Sequence, residues 1–167
     1  GDVKKKNTHQ GYADESAWAR GQAWGLYGYT MTYRFTKNKQ FLEQAEKIAG
    51  FILNHPSLPE DGVPYWDFDA PGIPDEPRDV SAAAIIASAL YELSTYSDKG
   101  ESYLAGADKI IQSLKNEYRS PAGENYGFIL DHSVGNKRSR SEVDVPLNYA
   151  DYYFVEALSR KRILDIL

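Results

Sequence analysis

Cysteine is absent from the 167-residue chain. That removes disulfide staples and thiolate chemistry together. The absence fits a reducing compartment and is equally compatible with the periplasm, so a cytoplasmic and a periplasmic location both stay open. An excess of basic residues is lacking too. The formal charge is −5, whereas a nucleic-acid footprint needs a basic surface. No apolar run approaches the length needed to span a bilayer, and no secretory signal is visible. Neither nucleic acid nor membrane is therefore an expected partner. The chain opens on Gly1 instead of Met, so it reads as a piece of something longer.

What is present is a globular composition rich in aromatics. Hydrophobic residues make up 42% of the sequence, an ordinary share, and the length suffices for one domain with a real core. Thirteen Tyr and three Trp are the kind of supply found where sugars are stacked. Several lie in one stretch near the N-terminus, which holds His9, Gln10, Tyr12, Asp14, Trp18, Arg20 and Trp24. It reads as a loop followed by a helix. Gly11 permits a turn, and Asp14 or Ser16 is placed to cap the helix. Arg20 and Trp24 are four residues apart and share one helical face. An aromatic plate beside a guanidinium suits a sugar acid, the ring stacking and the carboxylate pairing. On spacing alone, the same residues also fit a helix with one buried Trp and one solvated Arg.

Periodicity and cap signals give five helices, over 15–36, 39–54, 80–96, 101–118 and from Pro146 onward. The first carries Gly21, Gly25 and Gly28. Each glycine costs roughly 1 kcal/mol relative to alanine in a helix interior, which points to close packing or to room for a ligand. The second and fourth helices are amphipathic. The third, Ala82-Ala-Ala-Ile-Ile-Ala-Ser-Ala-Leu90, is apolar nearly all round and should be buried. Two long connections separate the pairs. One, 55–78, contains Tyr65-Trp66-Asp67-Phe68-Asp69, which fits either a sugar-lining segment or a loop pinned by its aromatics. The other, 119–144, carries the basic run Lys137-Arg-Ser-Arg140.

The pattern repeats. Phe41-Leu-Glu-Gln-Ala-Glu-Lys-Ile48 lines up with Tyr103-Leu-Ala-Gly-Ala-Asp-Lys-Ile110. The first, third and fifth helices start roughly 65 residues apart, a period of stacked helical hairpins about twice that of a tetratricopeptide. The buried character of these three suggests an inner ring, with the other two outside it. The long loops would then gather at the N-terminal ends of the inner helices.

Thr8-His-Gln-Gly-Tyr-Ala-Asp14 followed by Trp18-Ala-Arg-Gly-Gln-Ala-Trp24 resembles the unsaturated glucuronyl hydrolases, glycoside hydrolase family 88. Pro77-Arg-Asp-Val-Ser-Ala-Ala83 and Ser141-Glu-Val-Asp-Val-Pro-Leu-Asn-Tyr-Ala-Asp-Tyr-Tyr-Phe154 resemble later segments of that family. The resemblance implies an all-α fold, an (α/α)6 barrel of six helical hairpins, of which residues 1–167 form the C-terminal portion. It implies hydration of the C4=C5 enol ether in a terminal unsaturated uronic acid, with no cofactor or metal. An acid protonates C4, water adds at C5, and the hemiketal opens to release the remaining sugar. Family positions carried over one by one make His9, Gln10, Arg20, Trp24 and, more weakly, Tyr149 substrate-binding residues. Arg138, Arg140 and Ser141 fit either a sulfate or uronate contact or a solvated loop.

The family's catalytic aspartates precede the His-Gln-Gly segment, so no catalytic residue is assigned here, and Asp14, Asp79 and Asp144 are not promoted to that role. The expected partners are an unsaturated uronic-acid oligosaccharide and the missing N-terminal half of the barrel, or failing that a second copy. Gln22 separates the pattern from unsaturated rhamnogalacturonyl hydrolases, which tend to carry Arg-Gly-Asn there. A pectin-derived substrate, or a non-catalytic helical-repeat carbohydrate-binding module, are the alternatives.

Overall fold

A computed structural model describes residues 1–166. Five α-helices follow in order, α1 (Ala19–Thr36), α2 (Lys39–Leu53), α3 (Val80–Leu93), α4 (Gly100–Glu117) and α5 (Asn148–Leu164). They form two antiparallel hairpins, α1 with α2 and α3 with α4, and a fifth helix beginning a third unit. α3 lies between α1 and α5, so these three make the inner row, while α2 and α4 back it from outside. This is the arrangement of an (α/α)6 barrel, of which the chain forms a part.

α3 sits at the centre because its sequence leaves no face for water. From Val80 to Tyr91 every residue is buried. Its alanines let α1 and α5 approach closely, and an apolar helix with no polar stripe is stable only inside such a sandwich. Asp79 caps it, accepting from the backbone N–H groups of Ser81 and Ala82. Asn38 caps α2 in the same way through Gln40 N–H.

One expectation needs correction. The first helix begins at Ala19, and neither Asp14 nor Ser16 caps it. Asp14 instead accepts from Thr8 N–H at 3.0 Å, and Ser16 donates to Asp67 at 2.7 Å. The acceptors of the loop are thus spent on its own turn and on the 55–78 connection before the helix starts. The second connection contains a β-hairpin, β1 (Ser133–Asn136) with β2 (Ser141–Val145), antiparallel and bulged between Ser133 and Val134. Arg140, just before β2, and Glu142 and Asp144 within it all have positive φ, a conformation that costs an L-residue roughly 1–2 kcal/mol and survives only where surroundings hold it.

The 55–78 connection is the pinned loop. Tyr65, Trp66, Asp67 and Phe68 are buried. Ala19 N–H donates to Trp66 C=O at 3.1 Å and Phe68 N–H to Ala17 C=O at 3.0 Å, so the loop lies against the start of α1. The hairpin meets the start of α3, where Val80 N–H donates to His132 C=O at 3.2 Å. Both long connections therefore collect at the N-terminal ends of the inner helices, as the repeat predicts.

Candidate substrate site

The loop before α1 is built around Asp67, which is fully buried. Its carboxylate accepts from Tyr12 N–H at 2.8 Å and from Ser16 Oγ at 2.7 Å. Gly11 is needed at the tightest point. A Cβ there would stand 2.7 Å from Thr8 Oγ1 and 3.3 Å from Asp67 Oδ2. This turn carries Gln10 to the hairpin, where its Nε2 donates to Gly135 C=O at 3.0 Å. His9 is next to it and exposed.

Arg20 meets the same carbonyl from the other side. Its guanidinium donates to the carbonyls of Val134 and Gly135 and pairs with Asp79 at 3.1 Å. It lies between two aromatic rings, 4.8 Å from the Trp18 centroid and 5.5 Å from that of Tyr149. Only 4% of Arg20 is exposed. Spacing alone left this guanidinium either to a ligand carboxylate or to solvent. In the structure an internal carboxylate and two carbonyls already hold it, because desolvated arginine requires full pairing. What Arg20 organises is plain: the hairpin strand, the cap of α3 and the Tyr149 ring. Burial pushes the Asp79 carboxyl up, and Arg20, Ser81 and the N–H groups of Val134 and Ala82 act against that. Burial likewise raises the Tyr149 phenol, with the Arg20 charge opposing it.

One helical turn further, the site opens. Trp24 is 37% exposed, so it is not the buried core tryptophan that spacing alone also allowed. It stands edge-on to Tyr153 at 5.1 Å and to Tyr27 at 6.3 Å. Tyr152 extends the cluster, 4.9 Å from Tyr153. Gly28, four residues after Trp24, has nothing within 4 Å of a would-be Cβ. Arg20 and Trp24 on α1 face Tyr149 and Tyr153 on α5, each pair offset by one turn. Three of the five candidates, Gln10, Arg20 and Tyr149, are thus joined through Gly135 and the Arg20 guanidinium, and Trp24 lies one turn further along α1. The sequence reading missed Tyr153, although its i+4 spacing from Tyr149 was a usable signal.

The basic run forms the turn of the hairpin. Lys137 pairs with Glu76 and lies 5.4 Å from the Trp66 ring centroid. Arg138 reaches the Gly11 carbonyl at 3.5 Å, while Arg140 and Ser141 are exposed. At the base, His132 Nδ1 lies 2.7 Å from Asp144. Among the described residues no group of acidic and histidine side chains is arranged to hold a metal ion, and no helix is long and apolar enough to cross a membrane.

Helical hairpins stacked side by side, with loops and an aromatic-polar site gathered at one mouth, define a segment of an α/α-barrel protein. Comparison with known proteins narrows this class. No family model matches the chain. An unsaturated glucuronyl hydrolase of Formosa agariphila is 53% identical over 98% of the chain and 41% of its own length. That of a Bacillus species is 38% identical over 96% of the chain and 43% of its own length. The crystal structure of an unsaturated glucuronyl hydrolase specific for heparin superposes with a TM-score of 0.98 at 55% identity, covering 100% of this chain and 45% of that one. A Streptococcus agalactiae unsaturated glucuronyl hydrolase complexed with dGlcA-GalNAc6S gives 0.85 at 36%, over 96% and 43%. The chain is similar to unsaturated glucuronyl hydrolases along nearly its whole length, and it spans less than half the length of these relatives.

Proposed function

We propose that the protein containing this chain is an unsaturated glucuronyl hydrolase acting on lyase-generated glycosaminoglycan oligosaccharides, and that residues 1–167 supply part of its sugar site. The observation that carries the reading is the open Trp24–Tyr153 ledge beside the knot of Gln10, Arg20 and Tyr149, in a chain 53% identical to a hydrolase of that name. An unsaturated uronic ring is flattened by its double bond and offers an apolar face to an aromatic platform, while its rim needs hydrogen bonds. Trp24 and Tyr153 supply the platform. His9 and Gln10 supply rim contacts, Tyr149 its phenol, and Arg20 the positive charge behind them. The general acid that protonates C4 and later takes a proton from water is an aspartate of the upstream segment. Asp79 does not take that role, being buried and spent on Arg20 and the α3 cap.

The test uses the full-length protein with a panel of unsaturated disaccharides from chondroitin, heparin and pectin, followed as loss of the double bond's ultraviolet absorbance. Turnover is expected on glycosaminoglycan members, and Trp24→Ala should lower kcat/KM by roughly tenfold or more, the scale of losing a stacked aromatic. Normal kinetics in that variant would remove the platform assignment. Turnover by residues 1–167 alone would contradict an upstream proton donor.

A further inference from the structure

Beneath the ledge, the three inner helices are tied together by side chains that no ligand contact explains. Arg160 on α5 is the hub. It donates to Ser88 C=O at 2.7 Å and pairs with Glu92 at 2.8 Å, both on α3. Within α5 it approaches Glu156 at 3.6 Å. Toward α1 its guanidinium carbon stands 5.2 Å from the Tyr27 ring centroid, with Nη2 3.4 Å from the Tyr27 hydroxyl. Tyr27 in turn donates its hydroxyl to Glu156 at 3.0 Å, and Ser88 donates to the other oxygen of Glu156. On its upper side the Tyr27 ring touches both plates of the ledge, Tyr153 edge-on at 5.2 Å and Trp24 at 6.3 Å.

We infer that Tyr27 is a positioning residue for the sugar platform: its ring, held from below by Glu156 and Arg160, fixes the orientation of Trp24 and Tyr153. The inference rests on the reading of that ledge as the sugar platform. The physical reason is rigidity. Trp24 is partly open to solvent, and its ring meets Tyr153 and Tyr27 edge-on, so those two rings set the indole plane. An edge-to-face contact sets that plane only if the second ring is itself immobile. Tyr27 is immobile because its hydroxyl is bonded and its face carries a cation. Burial and the neighbouring Glu156 push its phenol up to about 12, so it remains a donor throughout the working range. A platform held in this way binds the sugar in ground and transition states alike, which appears in KM before kcat.

A double-mutant cycle in the full-length protein tests this, with KM and kcat on an unsaturated glycosaminoglycan disaccharide. Tyr27→Leu is expected to raise KM roughly three- to tenfold, the range of one lost aromatic pair, with kcat nearly constant. Tyr27→Phe and Glu156→Gln keep the ring and the volume, so they report on the anchor even if Tyr27→Leu does not fold. Each should raise KM by about two- to threefold. Adding Tyr27→Leu to Trp24→Ala should raise KM by a smaller factor than Tyr27→Leu does alone, since part of its effect passes through the indole and only the Tyr153 contact remains. Additive losses in the double variant, or unchanged KM in Tyr27→Phe and Glu156→Gln, overturn the inference while the platform reading stands. Unchanged KM in Trp24→Ala removes the platform reading, and this inference with it.

Discussion

At the residue scale, the buried pair of Arg20 and Asp79 sets the stakes. Removing one partner of such a pair leaves an uncompensated charge in a dry site and costs about 3–5 kcal/mol. Arg20→Ala should therefore melt early in denaturant, before any kinetic effect is read. The joint variant Arg20→Met with Asp79→Asn should recover much of that loss, because no orphan charge remains. Half of the pair was legible: Asp79 before an apolar run announces a cap. Its second role was not, since Arg20 lies 59 residues away in sequence and no local pattern encodes that meeting. Glu76 gives a second test. Burial pushes its carboxyl up, but donation from Lys137 and the Trp66 indole outweighs this and holds it below its ordinary 4.5. A lowered acid stabilises the fold above its ordinary value, and that contribution is lost as pH falls through the folded value. Trp66 donates directly to Glu76 at 2.9 Å. Tryptophan emission should show an acid transition below pH 4.5, and Glu76→Gln should abolish it.

At the scale of elements, α1 carries three glycines with three different surroundings. A Cβ on Gly21 would stand 2.9 Å from the Trp18 ring, and one on Gly25 3.2 Å from Ile48 Cδ1, whereas Gly28 faces open space. Alanine lowers the free energy of a helix interior by about 0.8–1.0 kcal/mol relative to glycine where nothing obstructs it. Gly28→Ala should thus raise stability by about that amount in thermal melts. Gly25→Ala should gain less, and Gly21→Ala should lose stability by displacing Trp18 from under Arg20. The sequence cost of these glycines pointed to packing or ligand room without saying which, because that depends on what α2 and the open face present. The same limit explains the hairpin. Helix positions followed from cap residues and a 3.6 period, both local. The hairpin's alternation in Ser141-Glu-Val-Asp-Val145 is short, and Arg140, Glu142 and Asp144 adopt left-handed backbone that their residue types do not advertise. That strand is held by its ladder to β1, which Arg20 grips in turn through the Val134 and Gly135 carbonyls.

At the scale of the whole molecule, the inner row has two ends. α3 is covered on both sides, but α1 and α5 each have a neighbour on one side only. On α5 the flank away from α3 exposes Tyr152 (61%), Val155 (48%) and Ile163 (58%), and on α1 Phe35 is 75% exposed. Apolar groups repeated along one helix face form a continuous strip, and such strips drive association when nothing covers them. In relatives of more than twice this length, further hairpins are available to lie there. Residues 1–167 alone should therefore self-associate with rising concentration, measured by light scattering or sedimentation. Tyr152→Lys with Val155→Glu should weaken that association without lowering stability, because both positions face solvent within this chain. In the full-length protein the same double substitution should instead destabilise the fold by several kcal/mol, since two charges would then be taken out of water. That reversal of sign separates a flank closed by the rest of a barrel from one that is simply surface. Equal and small effects in both lengths would show that α5 has no neighbour in either.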